Sequence, residues 1–158
     1  MNILKKIKRV ITIQKNNKKI LNIMGVFREI TYFKELNSYE INLFKKIIVE
    51  CDLTIKNERG YTHIMYVFTY NKDKKLNFNQ EELNFLIENS DLNKKNKDGS
   101  NALYKAIKNN DLEKLQLTSQ QLKYIYDKSY KEIQEETFIL LIKDLNDEIS
   151  VLNNGINI

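Results

Sequence analysis

Very few side chains in this sequence could carry nucleophilic or metal chemistry. His63 is the only histidine and Cys51 the only cysteine in 158 residues. Any Ser/His/Asp or Cys/His constellation would therefore have to pass through His63, and such a site needs mutually placed partners. One Cys and one His cannot complete a tetrahedral N/S zinc site within the chain. His63 stands where a polar turn runs into an apolar helical pattern, so a structural role is expected for it. Cys51, beside Asp52 at a helix end, reads as a small buried apolar residue. Glu81-Glu82 and Glu135-Glu136 are acidic pairs, but adjacent residues on a helix do not face each other, so neither forms a general acid/base dyad. Gly60 and Gly99 are isolated and belong to no Walker or GxGxxG pattern. The expectation is a non-enzyme with no catalytic residues, no cofactor and no bound metal.

The elements that position these residues come in copies. Asp91-Leu92-Asn93-Lys94-Lys95-Asn96-Lys97-Asp98-Gly99-Ser100-Asn101-Ala102-Leu103-Tyr104 repeats, 39 residues on, the frame of Asp52-Leu53-Thr54-Ile55-Lys56-Asn57-Glu58-Arg59-Gly60-Tyr61-Thr62-His63-Ile64-Met65. Gly60 matches Gly99, Ile64 matches Leu103, and Phe68 matches Ile107, with both apolar pairs expected to be buried between stacked helices. The glycine supplies the positive φ that a tight turn needs, and Thr62 is expected to cap the helix after it. Asn79-Gln80-Glu81-Glu82 and Thr118-Ser119-Gln120-Gln121 both read as capping boxes. Leu83, Leu86 and Ile87 follow the first of them at three-four spacing. A degenerate earlier copy holds Ile23, Met24 and Phe27, with Phe44, Ile47 and Ile48 on its second helix and Ser38 as the expected N-cap. Three helix pairs result, near 20–50, 62–90 and 101–128, and units of this size stack because none buries its apolar face alone.

Outside the copies, Ile3, Leu4, Ile7, Val10 and Ile11 form one apolar stripe of an N-terminal helix, with Lys5, Lys6, Lys8 and Arg9 largely opposite. Residues 1–28 hold eight basic side chains and no acid, whereas the rest carries 18 basic and 21 acidic. The formal charge of +5 is thus the property of an arm. Phe138-Ile139-Leu140-Leu141-Ile142 lies within a helical pattern expected to end at Asn153-Asn154-Gly155. The chain contains no Pro and four Gly, which favours helices over a turn-rich β fold. One cysteine suits a reducing compartment. No apolar run approaches the ~20 residues of a membrane helix, so cytoplasmic residence is expected, with export by a signal-less route as the exception.

The helix end and loop from Phe85 to Gly99, followed by Asn101-Ala102-Leu103-Tyr104-Lys105-Ala106-Ile107, resemble an ankyrin repeat. The segment from Asp52 to Phe68 is similar in a weaker form. The family's Pro is His63 or Ala102 here, and its His is Met65 or Tyr104. The 39-residue spacing exceeds the family's unit of about 33, with the extra residues between the two helices. The resemblance covers residues 20–130. It implies an all-α fold in one domain spanning residues 1–158: a short α-solenoid of about three ankyrin-like helix pairs, with a basic N-terminal helix or arm (1–19) and a closing helix (131–152) as caps.

The resemblance also implies a concave face, made of loop tips and one side of each first helix, that binds another protein. Carried over by position, it nominates Glu58, Arg59, Tyr61 and Tyr66 in one unit and Lys97, Asp98, Ser100 and Lys105 in the next. Arg59, Tyr61 and Tyr66 lead, because Tyr and Arg dominate interface energetics. The expected function is a protein-protein interaction module acting as an inhibitor, immunity-type or adaptor protein. The competing class is nucleic-acid or anionic-surface binding through Lys5, Lys6, Lys8 and Arg9.

Overall fold

The computed structural model describes residues 24–25, 37–70, 78–110 and 116–156. Among these the chain is all-α, with six named helices and no strand. They are α1 (Ser38–Ile48), α2 (His63–Tyr70), α3 (Gln80–Asn89), α4 (Ala102–Asn109), α5 (Ser119–Lys128) and α6 (Lys131–Ile156). Met24 and Gly25 are helical too. The rest of the expected first helix, and the whole basic arm with Lys5, Lys6, Lys8 and Arg9, lie outside the described residues.

Side-chain caps start four of these helices. Asn79 accepts from the Glu82 N–H at 2.8 Å while the Glu82 carboxylate takes the Asn79 N–H at 2.9 Å, which closes the expected capping box of α3. Thr118 and Gln121 do the same for α5. At α1 the cap is Asn37 rather than the expected Ser38. The reason is spacing: a box needs an acceptor three residues before Glu or Gln, and only Asn37 stands that far from Glu40. Asn101 caps α4, accepting from the Tyr104 N–H at 2.8 Å. Its counterpart Thr62 does not cap α2, because the hydroxyl is buried and has no hydrogen-bond partner.

Packing follows the copies. Helix α4 packs against α2 on one side and α6 on the other, and also touches α5. Its buried residues Ala102 and Ala106 are small, which lets neighbouring backbones come close. The second helices are joined in series by polar contacts. Lys45 of α1 pairs with Glu82 of α3 at 3.0 Å, and Gln121 of α5 donates to Asn84 of α3 at 2.8 Å. Between the two sets lies one apolar core that includes Phe44, Ile48, Ile64, Phe68, Leu83, Leu86, Leu103 and Ile125.

Two expectations are corrected. Ile107 is not buried like its counterpart Phe68; it is 39% exposed against 0%. Phe68 has another copy stacked over its helix, whereas α4 is followed by the single long α6, which does not cover Ile107. The closing helix also runs on to Ile156, past Asn153-Asn154-Gly155. Gly155 lowers helix propensity by only about 1 kcal/mol, which does not by itself end a helix.

Candidate functional site

The site is built on two turns related by the 39-residue repeat. In the first, the Asn57 side-chain carbonyl accepts the Arg59 and Tyr61 N–H groups, both at 3.0 Å. In the second, Asn96 accepts those of Asp98 and Ser100 at 3.0 and 2.9 Å. The backbone repeats as well. Gly60 N–H donates to Asn57 O at 2.9 Å and Gly99 N–H to Asn96 O at 3.0 Å. Both glycines have positive φ, 80° and 77°, a conformation that side chains with a Cβ disfavour. The turns are joined directly, with Lys97 N–H donating to Arg59 O at 2.9 Å. Asn57 and Asn96, which organise these turns, are not among the residues nominated by position in the repeat. Their signal was present: both hold the same place in the two copies.

These turns put Tyr61 beside Tyr66 on α2. The ring centroids are 4.8 Å apart and the planes are tilted by 32°. Lys105, one copy further on, places its ammonium 5.0 Å from the Tyr61 ring centre, within cation–π range. The Tyr66 hydroxyl accepts from the Asn57 side-chain amide at 2.9 Å. Three nominated residues from two copies thus form one half-buried stack, Tyr66–Tyr61–Lys105. Burial and the nearby Asp98 carboxylate raise the Tyr61 pKa. Glu58, Arg59, Lys97 and Asp98 are exposed at the turn tips around the stack. Met24, Gly25, Lys56, Asn57, Glu58, Arg59 and Tyr66 line an open cleft of about 520 Å³.

Ser100 departs from the expectation. It is 7% exposed and its hydroxyl is buried, because its backbone closes the second turn against Asn96 and turns the side chain inward. It cannot serve as a surface contact.

His63 is fully buried, and burial lowers its pKa from 6.5 to about 4. Cys51 is buried as well, with its thiol directed at Ile47 O at 3.4 Å. Among the described residues no group of three or more His, Cys, Asp or Glu side chains is placed to hold a metal ion. No helix among them is long and apolar enough to cross a membrane.

A polar cluster that the sequence did not announce ties α4 to α6. The Tyr104 hydroxyl donates to Asp144, and Lys108 reaches both the Tyr104 oxygen at 2.9 Å and Asp144 at 3.1 Å. The Tyr104 hydrogen bond holds the Asp144 carboxyl below its ordinary pKa, helped by Lys108. Lys95 meets Glu136 at 3.1 Å and Glu132 at 3.5 Å from the second turn. Both clusters are accounted for as struts between the last copy and the closing helix. Comparison with protein-family models, with curated proteins and with solved structures finds no significant match for this chain.

Proposed function

We propose that this chain is a non-catalytic protein-protein interaction module: a short ankyrin-like α-solenoid that binds a protein partner through its turn-tip face and blocks or scaffolds it. The observation that carries the reading is the Tyr66–Tyr61–Lys105 stack, which crosses from one copy to the next and is ringed by exposed Glu58, Arg59, Lys97 and Asp98. Tyrosines supply large, rigid, amphipathic contact area, and Arg supplies fixed donors, the two residue types most often dominant at interfaces. The mixed charges of the rim suit a partner surface that also carries both signs, since complementary rims set orientation and encounter rate. The two turns are held by the same Asn and Gly geometry and joined by the Lys97 N–H to Arg59 O bond, and a pre-ordered face loses less entropy on binding.

The test is affinity capture from the native cell, followed by binding measurements on the captured protein. Arg59→Ala combined with Tyr61→Ala is expected to weaken binding about 30-fold, in the range of interface anchors, with helicity retained. A second pair, Lys46→Ala with Lys123→Ala, removes exposed charge away from the face and is expected to leave affinity unchanged. Equal affinities for wild type and the Arg59/Tyr61 pair would refute this assignment of the face.

A further inference from the structure

The C-terminal part of α6 stands exposed beyond its packing on α4. Ile133 and Thr137 are buried against the body, and Asp144 joins it through Tyr104 and Lys108. From Leu145 to Gly155 every side chain is exposed. At ~1.5 Å per residue this stretch projects about 15 Å, and an isolated helix so short is marginal in water. Its apolar residues are nonetheless large and regularly placed. Phe138, Ile142, Leu145, Ile149 and Leu152 follow one another at spacings of four, three, four and three, with exposures of 65%, 43%, 55%, 46% and 65%.

That spacing is a heptad seam. Ile142 and Ile149 hold its a positions, and Phe138, Leu145 and Leu152 hold its d positions. β-branched residues at a with Leu at d favour two parallel strands. At 3.6 residues per turn the seam lies roughly 120° round the helix from Ile133, Thr137 and Asp144, so pairing along it does not compete with packing on α4. The flanks permit a symmetric pair. In parallel register the g residue Glu148 meets the e residue Asn153 of a second copy, and Leu141 meets Asn146, so no like charges oppose. Asp144 and Asp147 fall at the outer c and f positions. Area is sufficient too. Six residues, the seam five and Ile139, offer on the order of 100 Å² each. Two copies then bury roughly 1,200 Å², above the ~1,000 Å² expected of a specific interface. Tyr126 on α5 extends the apolar face at its base, lining a groove of about 640 Å³ with Phe138 and Ile139.

We infer that α6 is a dimerisation helix, and that two copies of this chain pair in parallel along the seam from Phe138 to Leu152. The pair presents the turn-tip face twice. This inference is independent of what that face binds.

The test is the mass of the full chain in solution by sedimentation equilibrium, from about 1 to about 100 μM, a range that brackets ordinary homodimer affinities. A two-chain mass is expected at the upper end. Leu145→Lys with Ile149→Lys is expected to raise the dissociation constant about 30-fold or more, since charge replaces two buried anchors, while the cooperative melt of the body is kept. Ile149→Cys is expected to cross-link two copies on oxidation, because a residues face each other in a parallel pair; Asp147→Cys, at the outer f position, is the control that does not. A one-chain mass for the wild type throughout the range overturns the proposal. So does a lysine-substituted chain that dimerises as tightly as wild type, which would assign pairing to another surface such as residues 1–23. Equal cross-linking at 147 and 149 overturns the seam.

Discussion

Gly60→Ala is expected to destabilise the protein by about 2–5 kcal/mol, and Gly99→Ala by only about 1–2 kcal/mol, although the two glycines occupy matching turns. The shared part of the loss is conformational: at φ near +80° a residue with a Cβ is strained by about 1–2 kcal/mol. The difference is steric. A Cβ on Gly60 would stand 2.7 Å from Asn96 Cα and 2.9 Å from Lys95 O, whereas one on Gly99 meets nothing within 4 Å. The obstructing atoms are backbone, held in place by the Lys97 N–H to Arg59 O bond, so no side chain can swing aside. Overpacking of that kind adds about 1–3 kcal/mol. Urea denaturation of the two variants beside wild type measures the gap. Equal losses at the two positions would mean that the turns do not stack as described, and with them the continuity of the proposed binding face would fail.

The second large effect is acid sensitivity from His63. Its imidazole is fully buried and burial lowers its pKa from 6.5 to about 4, with the Asp52 charge offsetting only part of that. Between these values the unfolded chain takes up a proton that the folded chain refuses. Stability therefore rises with pH across the window: it is fully present above about pH 6.5 and falls as pH drops toward 4. The total is about 3 kcal/mol, at 1.36 kcal/mol per pKa unit. Asp52 adds to the loss at still lower pH, because its hydrogen bonds to Thr54 hold its pKa below the ordinary value. Chemical denaturation at pH 7 and pH 4.5 should show the drop in wild type. In His63→Gln the curve should be much flatter across that interval, whatever the absolute stability of the variant. A wild-type protein as stable at pH 4.5 as at pH 7 would show that His63 is protonated in the folded state.

His63 also shows how far residue type carries an argument. Being the only histidine made it the single candidate for several chemistries, and its position at a helix start pointed to structure instead. Full burial at the first residue of α2 agrees with the structural role. The arrangement of the turn-tip residues was less legible. Position in the repeat nominated Tyr61, Tyr66 and Lys105 separately, but nothing local brings a lysine of one copy over a tyrosine of another. That contact exists only because α2 and α4 pack side by side. Ser100 failed for a related reason: its place beside Gly99 suggested a tip, yet the Asn96 side chain draws its backbone into the turn and its hydroxyl with it.

The sequence by itself determined the helical elements and the local signals that start three of them. Helices α1, α3 and α5 begin where an acceptor stands three residues before Glu or Gln, and both turns form where Asn precedes Gly by three. These interactions span four or five residues, so the local sequence contains both partners. What only the tertiary structure decided is what each copy meets next. Phe68 and Gly60 are covered by a following copy, whereas Ile107 and Gly99 face the place where the repeat stops and α6 begins. Two stretches with the same pattern thus differ in burial, strain and exposed surface. Burial is a property of neighbours in space, and a repeated sequence assigns the same local structure to copies whose neighbours are not the same.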